Sequence, residues 1–200
     1  RIGFDLAELH SAHGYLLHQF LSPLSNQRND EYGGKLENRM RYPLEVFEAV
    51  RAAWPSDKPL GIRISATDWI DGGWTVEESV VFARELKSIG CDFIDVSSGA
   101  LDPRQKIPLG PGYQVPFSAK IRTQAEITTW TVGMITKARQ AEDIIAGGKA
   151  DIVALARGMM FDPRWAWHAA EELGVETEYS RMYARCAPGQ WPAVFPWRDI

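Results

Sequence analysis

Cysteine is scarce in this chain: Cys91 and Cys186 are the two in 200 residues. That is too few for a disulfide framework, so a reducing cytoplasm is the expected compartment. No apolar run approaches the roughly 20 residues a membrane-spanning helix needs, and no signal peptide opens the chain, so no membrane role is expected. The net charge of -4 supplies no attraction toward nucleic acid. There is no HExxH-like helix pattern and no low-complexity linker. There is also no initiator methionine: the chain begins at Arg1, almost directly before a strand, as a carboxyl-terminal portion of a longer protein would.

What is present describes a globular α/β chain. Hydrophobic residues make up 45%, enough for a sizeable core, and eight tryptophans suit packing more than the floor of an aromatic ligand's pocket. Residues 4–9 (Phe-Asp-Leu-Ala-Glu-Leu) alternate like a strand. After Gly33 and Gly34, the residues from Lys35 to about Ala53 carry Leu36, Met40, Leu44, Phe47 and Val50 at helical spacing, and Pro55 ends the helix. Residues 60–65 read as the next strand. Thr75 and Glu78 form a capping box for a helix running to Ile89, with Gly90 as its stop. The unit then repeats. Strands are expected at 93–98, 128–132 and 151–156, and helices at 117–124 and 137–146, with a long loop through Pro116. Strands alternating with helices in this way give βα units around a parallel sheet. Residues 1–174 read as one domain and 175–200 as an irregular terminal segment rich in Arg, Tyr and Trp.

The chemistry concentrates just behind the first strand. His10 falls at its carboxyl end, with His13 and Tyr15 in the loop that follows, the edge at which parallel sheets place their sites. Neutral imidazoles can hold a carbonyl or oxyanion oxygen by their N–H groups, and a tyrosine hydroxyl can protonate a carbanionic carbon. His18, on the apolar Leu-Leu-His-Gln-Phe segment, reads as a satisfied structural residue. Glu8 shares a strand face with His10, but a catalytic zinc would need a further ligand, so that reading stands at roughly one in ten. Arg63, in the middle of an apolar strand, must have an anionic or strongly polar partner. A carboxylate of a neighbouring strand and an anionic ligand satisfy that requirement equally.

The residues His10-x-x-His13-Gly-Tyr15-Leu-Leu-x-Gln19-Phe-Leu-Ser22-Pro23, followed by Asn26-x-Arg28-x-Asp30-x-Tyr32-Gly33-Gly34-x-x-Glu37-Asn38-Arg39, resemble the signature of the Old Yellow Enzyme family of flavin-dependent ene-reductases. The resemblance implies an α/β fold of the TIM (β/α)8 barrel kind holding FMN, here from about the fourth to the eighth strand, with NADPH or NADH as reductant. It further implies that His10 and His13 bind the electron-withdrawing group of an activated alkene and that Tyr15 protonates it. Arg63 would face the side of the flavin that becomes negative on reduction.

The glycine-marked turns at 132–136 and 155–158 would form the phosphate site after the seventh and eighth strands, with Gly133, Ala156 and Arg157 as its residues. The family usually has glycine where Ala156 stands, and alanine serves if its φ is negative. Ser97 and Ser98, at the end of the sixth strand, either line the cofactor edge or cap structure. Tyr183-Ala-Arg185 resembles the terminal Tyr-x-Arg of the thermophilic-like branch, whose arginine enters a neighbouring subunit's site. The larger dienoyl-CoA reductase or amine dehydrogenase kind carries an iron–sulfur cluster on clustered cysteines, which this segment lacks. A folded fragment without a complete site is the non-enzyme reading. The family's first three strands, which contribute flavin contacts, are absent from it, so the chain would be ordered only if another polypeptide supplied them or if copies of this chain associated across two open strand edges.

Overall fold

The computed structural model describes residues 3–187. Five strands, β1 (Ala7–Ser11), β2 (Leu60–Ser65), β3 (Phe93–Ser97), β4 (Thr128–Thr131) and β5 (Ile152–Val153), form one sheet in sequential order. Every neighbouring pair is parallel. Helices α1 (Leu16–Leu21), α2 (Leu36–Ala53), α3 (Val76–Ser88), α4 (Val115–Ala125), α5 (Ala138–Ala146), α6 (Arg157–Phe161) and α7 (Trp165–Glu172) fill the connections and the region after β5.

Alternation along the strands divides the sheet into two faces. Leu60, Ile62, Ile64, Ile94 and Val96 point to the helices and are buried with Phe47 of α2, Phe82 and Leu86 of α3 and Ile121 of α4. Burying a side chain of this kind contributes about 1.5–3 kcal/mol, so this layer holds the fold. A smaller cluster, Val115, Ile135, Ile144 and Ala150, seals α4 to α5. The opposite face is mainly polar, with Phe93 stacked on Trp130. In register across it stand His10, Arg63, Asp95 and Trp130.

The expected elements are present with shifted ends. The strand expected over 4–9 runs from Ala7 to Ser11, because pairing starts at Ala7 with Leu60 and the preceding Pro59 has no N–H to offer earlier residues. His10 therefore lies within the strand. The strand expected over 151–156 has two residues in full register, although Asp151 N to Thr129 O at 2.9 Å and Ala154 N to Thr131 O at 2.8 Å extend the ladder. It stops because β4 stops, where the chain turns at Gly133. Helix α4 begins at Val115 rather than at residue 117, since Pro116 in the first turn costs no hydrogen bond. The Thr75–Glu78 capping box forms as expected. Helices α1, α6 and α7 had no sequence expectation.

Much of the long signature is scaffold. The buried Asn26 side chain donates to the carbonyls of Phe20 and Tyr32, both at 2.7 Å. Arg39, also buried, binds Glu78 at 2.5 Å and the carbonyls of Gly34 and Leu21. These bonds lock the excursion between α1 and α2 onto α3. Of the terminal segment expected over 175–200, residues 188–200 lie outside the described residues. The described part ends in a 3-10 turn, Ala184–Cys186.

Candidate active site

The loop after β1 is built from a tight double turn. His13 has φ 58° and Gly14 φ 76°, consecutive left-handed residues that reverse the chain before α1. A Cβ on Gly14 would also meet the Ala100 carbonyl oxygen at 2.9 Å, so glycine is required there twice over. The His13 backbone N–H donates to Ser65 Oγ at 3.0 Å, and Ser65 Oγ donates to the Gly99 carbonyl at 3.0 Å. The turn is thus pinned to the ends of β2 and β3. His10, His13 and Tyr15 consequently gather on one side: the rings of His10 and His13 are 5.4 Å apart, and those of His10 and Tyr15 are 5.2 Å apart. Tyr15 is 65% exposed, with its ring on the open side.

The local field keeps the two imidazoles neutral. Burial, followed by the Arg63 charge and the other histidines, lowers His13 to about 4. Burial and Arg63 also lower His10. Each ring therefore carries an N–H donor at neutral pH. His13 Nε2 lies 2.6 Å from Ser97 Oγ, leaving Nδ1 for a ligand.

Of the two readings of the Arg63 charge, the structure shows the ion pair to a neighbouring strand. Arg63 Nη1 lies 3.4 Å from Oδ2 of the buried Asp95. Arg63 Nε and Asp95 Oδ1 are buried without a hydrogen-bond partner among the described residues. Burial pushes Asp95 up, with Arg63 opposing. Glu8, along the same face at the edge of the sheet, is raised to about 7 by desolvation and by Asp95.

Ser97 and Ser98 have roles the sequence did not separate. Ser97 faces His13. Ser98 accepts the Trp69 indole N–H at 2.9 Å and donates to Gln114 Oε1 at 2.5 Å. Gln114, 2% exposed, was missed by sequence reasoning. It also donates to the Val132 carbonyl at 2.8 Å, joining the ends of β3 and β4. Within Gly-Tyr-Gln-Val-Pro nothing marks it as buried, and its signal exists in the contacts alone.

Gly133, at the end of β4, has φ 123°, and a Cβ there would meet Gln114 Nε2 at 2.8 Å and the Tyr113 ring at 2.9 Å. Ala156 precedes α6 with φ -112°, the negative value that lets alanine replace glycine. Arg157 opens α6 and is exposed. Arg185 is exposed on the terminal turn. That segment packs on α7, with Trp167 against Tyr179 and Tyr183 and Arg164 over Tyr183 at 4.9 Å. Of the eight tryptophans, six lie among the described residues. All six are in hydrogen bonds or ring stacks, as packing residues would be. Among the described residues no group of three or more His, Cys, Asp or Glu is arranged to hold a metal ion, and no helix is long and apolar enough to cross a membrane.

The sequence profile of the NADH:flavin oxidoreductase / NADH oxidase family matches residues 1–176. The chain belongs to that family, the Old Yellow Enzyme family. An NADPH dehydrogenase of Geobacillus sp. (strain WCH70) is 52% identical over 183 residues, covering 92% of this chain and 53% of that protein. The chain thus spans about half the length of the curated relatives it matches. Solved structures share its fold as well, two of them reductases. One is 2-naphthoyl-CoA reductase in complex with 2-naphthoyl-CoA, at TM-score 0.78 and 27% identity, covering 85% of this chain and 26% of that one. The other is morphinone reductase in complex with tetrahydroNAD, at TM-score 0.64 and 28% identity, covering 84% and 45%. Membership accounts for the loop signature and for the parallel α/β sheet together.

Proposed function

We propose that this chain forms the fourth to eighth strands of a TIM-barrel, FMN-dependent ene-reductase that reduces activated alkenes, α,β-unsaturated carbonyls or nitroalkenes, with NAD(P)H. The observation that carries the reading is the shared face of β1 and β2, where His10 and Arg63 stand in register with His13 and Tyr15 beside them. When bound, FMN supplies hydride transfer from the nicotinamide to the β-carbon of the alkene. The chain's residues fit that group. The partnerless Nε of Arg63 offers a charge-assisted bond to an anionic ring edge, and the amides around Gly133 and Ala156 with Arg157 suit a phosphate. The Ser97 cluster borders the same face.

His10 and His13, held neutral, donate N–H bonds to the carbonyl or nitro oxygen and stabilise the negative charge that develops there. The Tyr15 hydroxyl delivers a proton to the α-carbon. Arg185 would act from one subunit on its neighbour in a homo-oligomer. The barrel reading is supported by apolar side chains left open on β5, α6 and the approach to β1: Phe4 is 63% exposed, Ile152 42% and Phe161 93%. Further strands of the protein would cover them. Residues 1–174 would then be the barrel part and 175–200 a terminal arm. The test is NADPH-dependent reduction of 2-cyclohexenone by the purified full-length protein, with flavin absorbance in stoichiometric amount. A folded protein without flavin bands, or one that reduces quinones but no alkene, would overturn the proposal.

A further inference from the structure

His18 belongs to the same stretch as His10 and His13 but faces the other way. Helix α1 turns it into the core, where it is 0% exposed, and both ring nitrogens are engaged. The backbone N–H of Gly14 donates to Nδ1 at 3.0 Å. Nδ1 must therefore carry the lone pair, and the ring proton sits on Nε2, 2.9 Å from Asp68 Oδ1. Asp68 is 1% exposed, and its other oxygen accepts from Ser22 Oγ at 2.6 Å and the Trp74 N–H at 2.7 Å. Burial alone would raise its carboxyl, and the bonds from His18, Ser22 and Trp74 hold it below its ordinary value instead. The far end is rigid as well. The Trp74 indole donates to Ser79 Oγ at 2.6 Å, and Ser79 Oγ donates to the Ala66 carbonyl at 2.9 Å. The near end is the left-handed His13–Gly14 turn, a conformation uncommon for residues other than glycine.

We propose that His18 is a positioning residue: anchored by Asp68, it holds the Gly14 amide and thereby sets where His13 and Tyr15 present their polar atoms to the substrate. This rests on the reading of the His10–Tyr15 loop as the substrate site. No other side chain accepts from the Gly14 amide among the described residues. The sequence separates the roles by helical geometry: His18 sits three residues after Tyr15 on a helix whose buried side carries Leu17, His18 and Leu21.

The test uses the flavin-loaded full-length enzyme with His18→Phe, which keeps a flat ring and removes the acceptor, and His18→Asn, which returns an amide oxygen near the Nδ1 position. Binding is followed by titration with p-hydroxybenzaldehyde. His18→Phe should raise Kd about tenfold, the order of one lost hydrogen bond. His18→Asn should stay within about threefold, and kcat for alkene reduction should fall in the same order. Amide exchange of Gly14 should quicken in His18→Phe and less so in His18→Asn. A His18→Phe enzyme that melts lower yet binds the phenol as the native enzyme does, with Gly14 exchange unchanged, would overturn the proposal and leave His18 a core residue. If His18→Phe does not fold, His18→Gln, whose longer stem carries its amide past the Nδ1 position toward Asp68, should bind more weakly than His18→Asn. The reverse order would overturn it. Should the native enzyme bind no phenol, the reading of the loop as the substrate site fails, and Gly14 exchange still decides whether His18 holds the turn.

Discussion

Lowering the pH from 7 to 5 is expected to weaken the fold through His13 while leaving its grip on a neutral substrate intact. In the folded protein burial and Arg63 hold His13 at about 4, against an ordinary 6.5 in the unfolded chain. The unfolded state therefore binds more protons in this window, so His13's contribution is complete above pH 6.5 and is lost as the pH falls toward 4. At pH 5 nearly every unfolded chain carries the proton and few folded ones do, which amounts to about 2 kcal/mol lost relative to pH 7 as an upper figure before solvent screening. Glu8 acts in the opposite sense. Raised to about 7, it contributes stability below 4.5 that disappears as pH rises. The measurement must therefore be a difference. Urea unfolding of the native protein and of His13→Gln at both pH values cancels Glu8, and the native protein should lose more on acidification than the variant, by at most about 2 kcal/mol once screening is allowed for. KM for 2-cyclohexenone should stay flat over the same range, because the folded ring keeps its N–H without gaining charge. Parallel losses in the two proteins would refute the claim that His13 is held neutral by its surroundings.

Tyr15→Phe should slow alkene reduction by roughly 10²–10⁴-fold and spare quinone reduction, which needs no carbon protonation. Equal losses for both substrate types in steady-state assays would make Tyr15 structural. Arg63→Met should destabilise the protein by about 3 kcal/mol by leaving Asp95 buried and unpaired, and adding Asp95→Asn should restore most of the loss in chemical unfolding. A double variant no better than the single one would show that Asp95 is not what Arg63 neutralises. Thr75→Ala, which removes the capping box of α3, should cost about 1 kcal/mol in the same assay, with turnover per folded molecule unchanged.

The succession of βα units, the capping box, and the grouping of His10, His13 and Tyr15 behind one strand were all legible from the residues alone. All are local: periodicity, punctuation and spacing depend on neighbours a few residues away. The loop signature likewise sufficed for the family, because its residues lie in one contiguous stretch. Strand ends were decided elsewhere. β1 starts where Leu60 can pair and β5 ends where β4 turns away at Gly133, and neither partner is near in sequence. The site's electrostatics were also tertiary. Arg63 in an apolar strand demanded a partner, but that the partner is Asp95, and that Nε has none among the described residues, follows from strand register and burial. Gln114 and Asp68 were silent in the sequence for the same reason. A buried polar side chain is defined by the groups it bonds, and theirs lie 16 to 18 residues away for Gln114 and up to 50 away for Asp68.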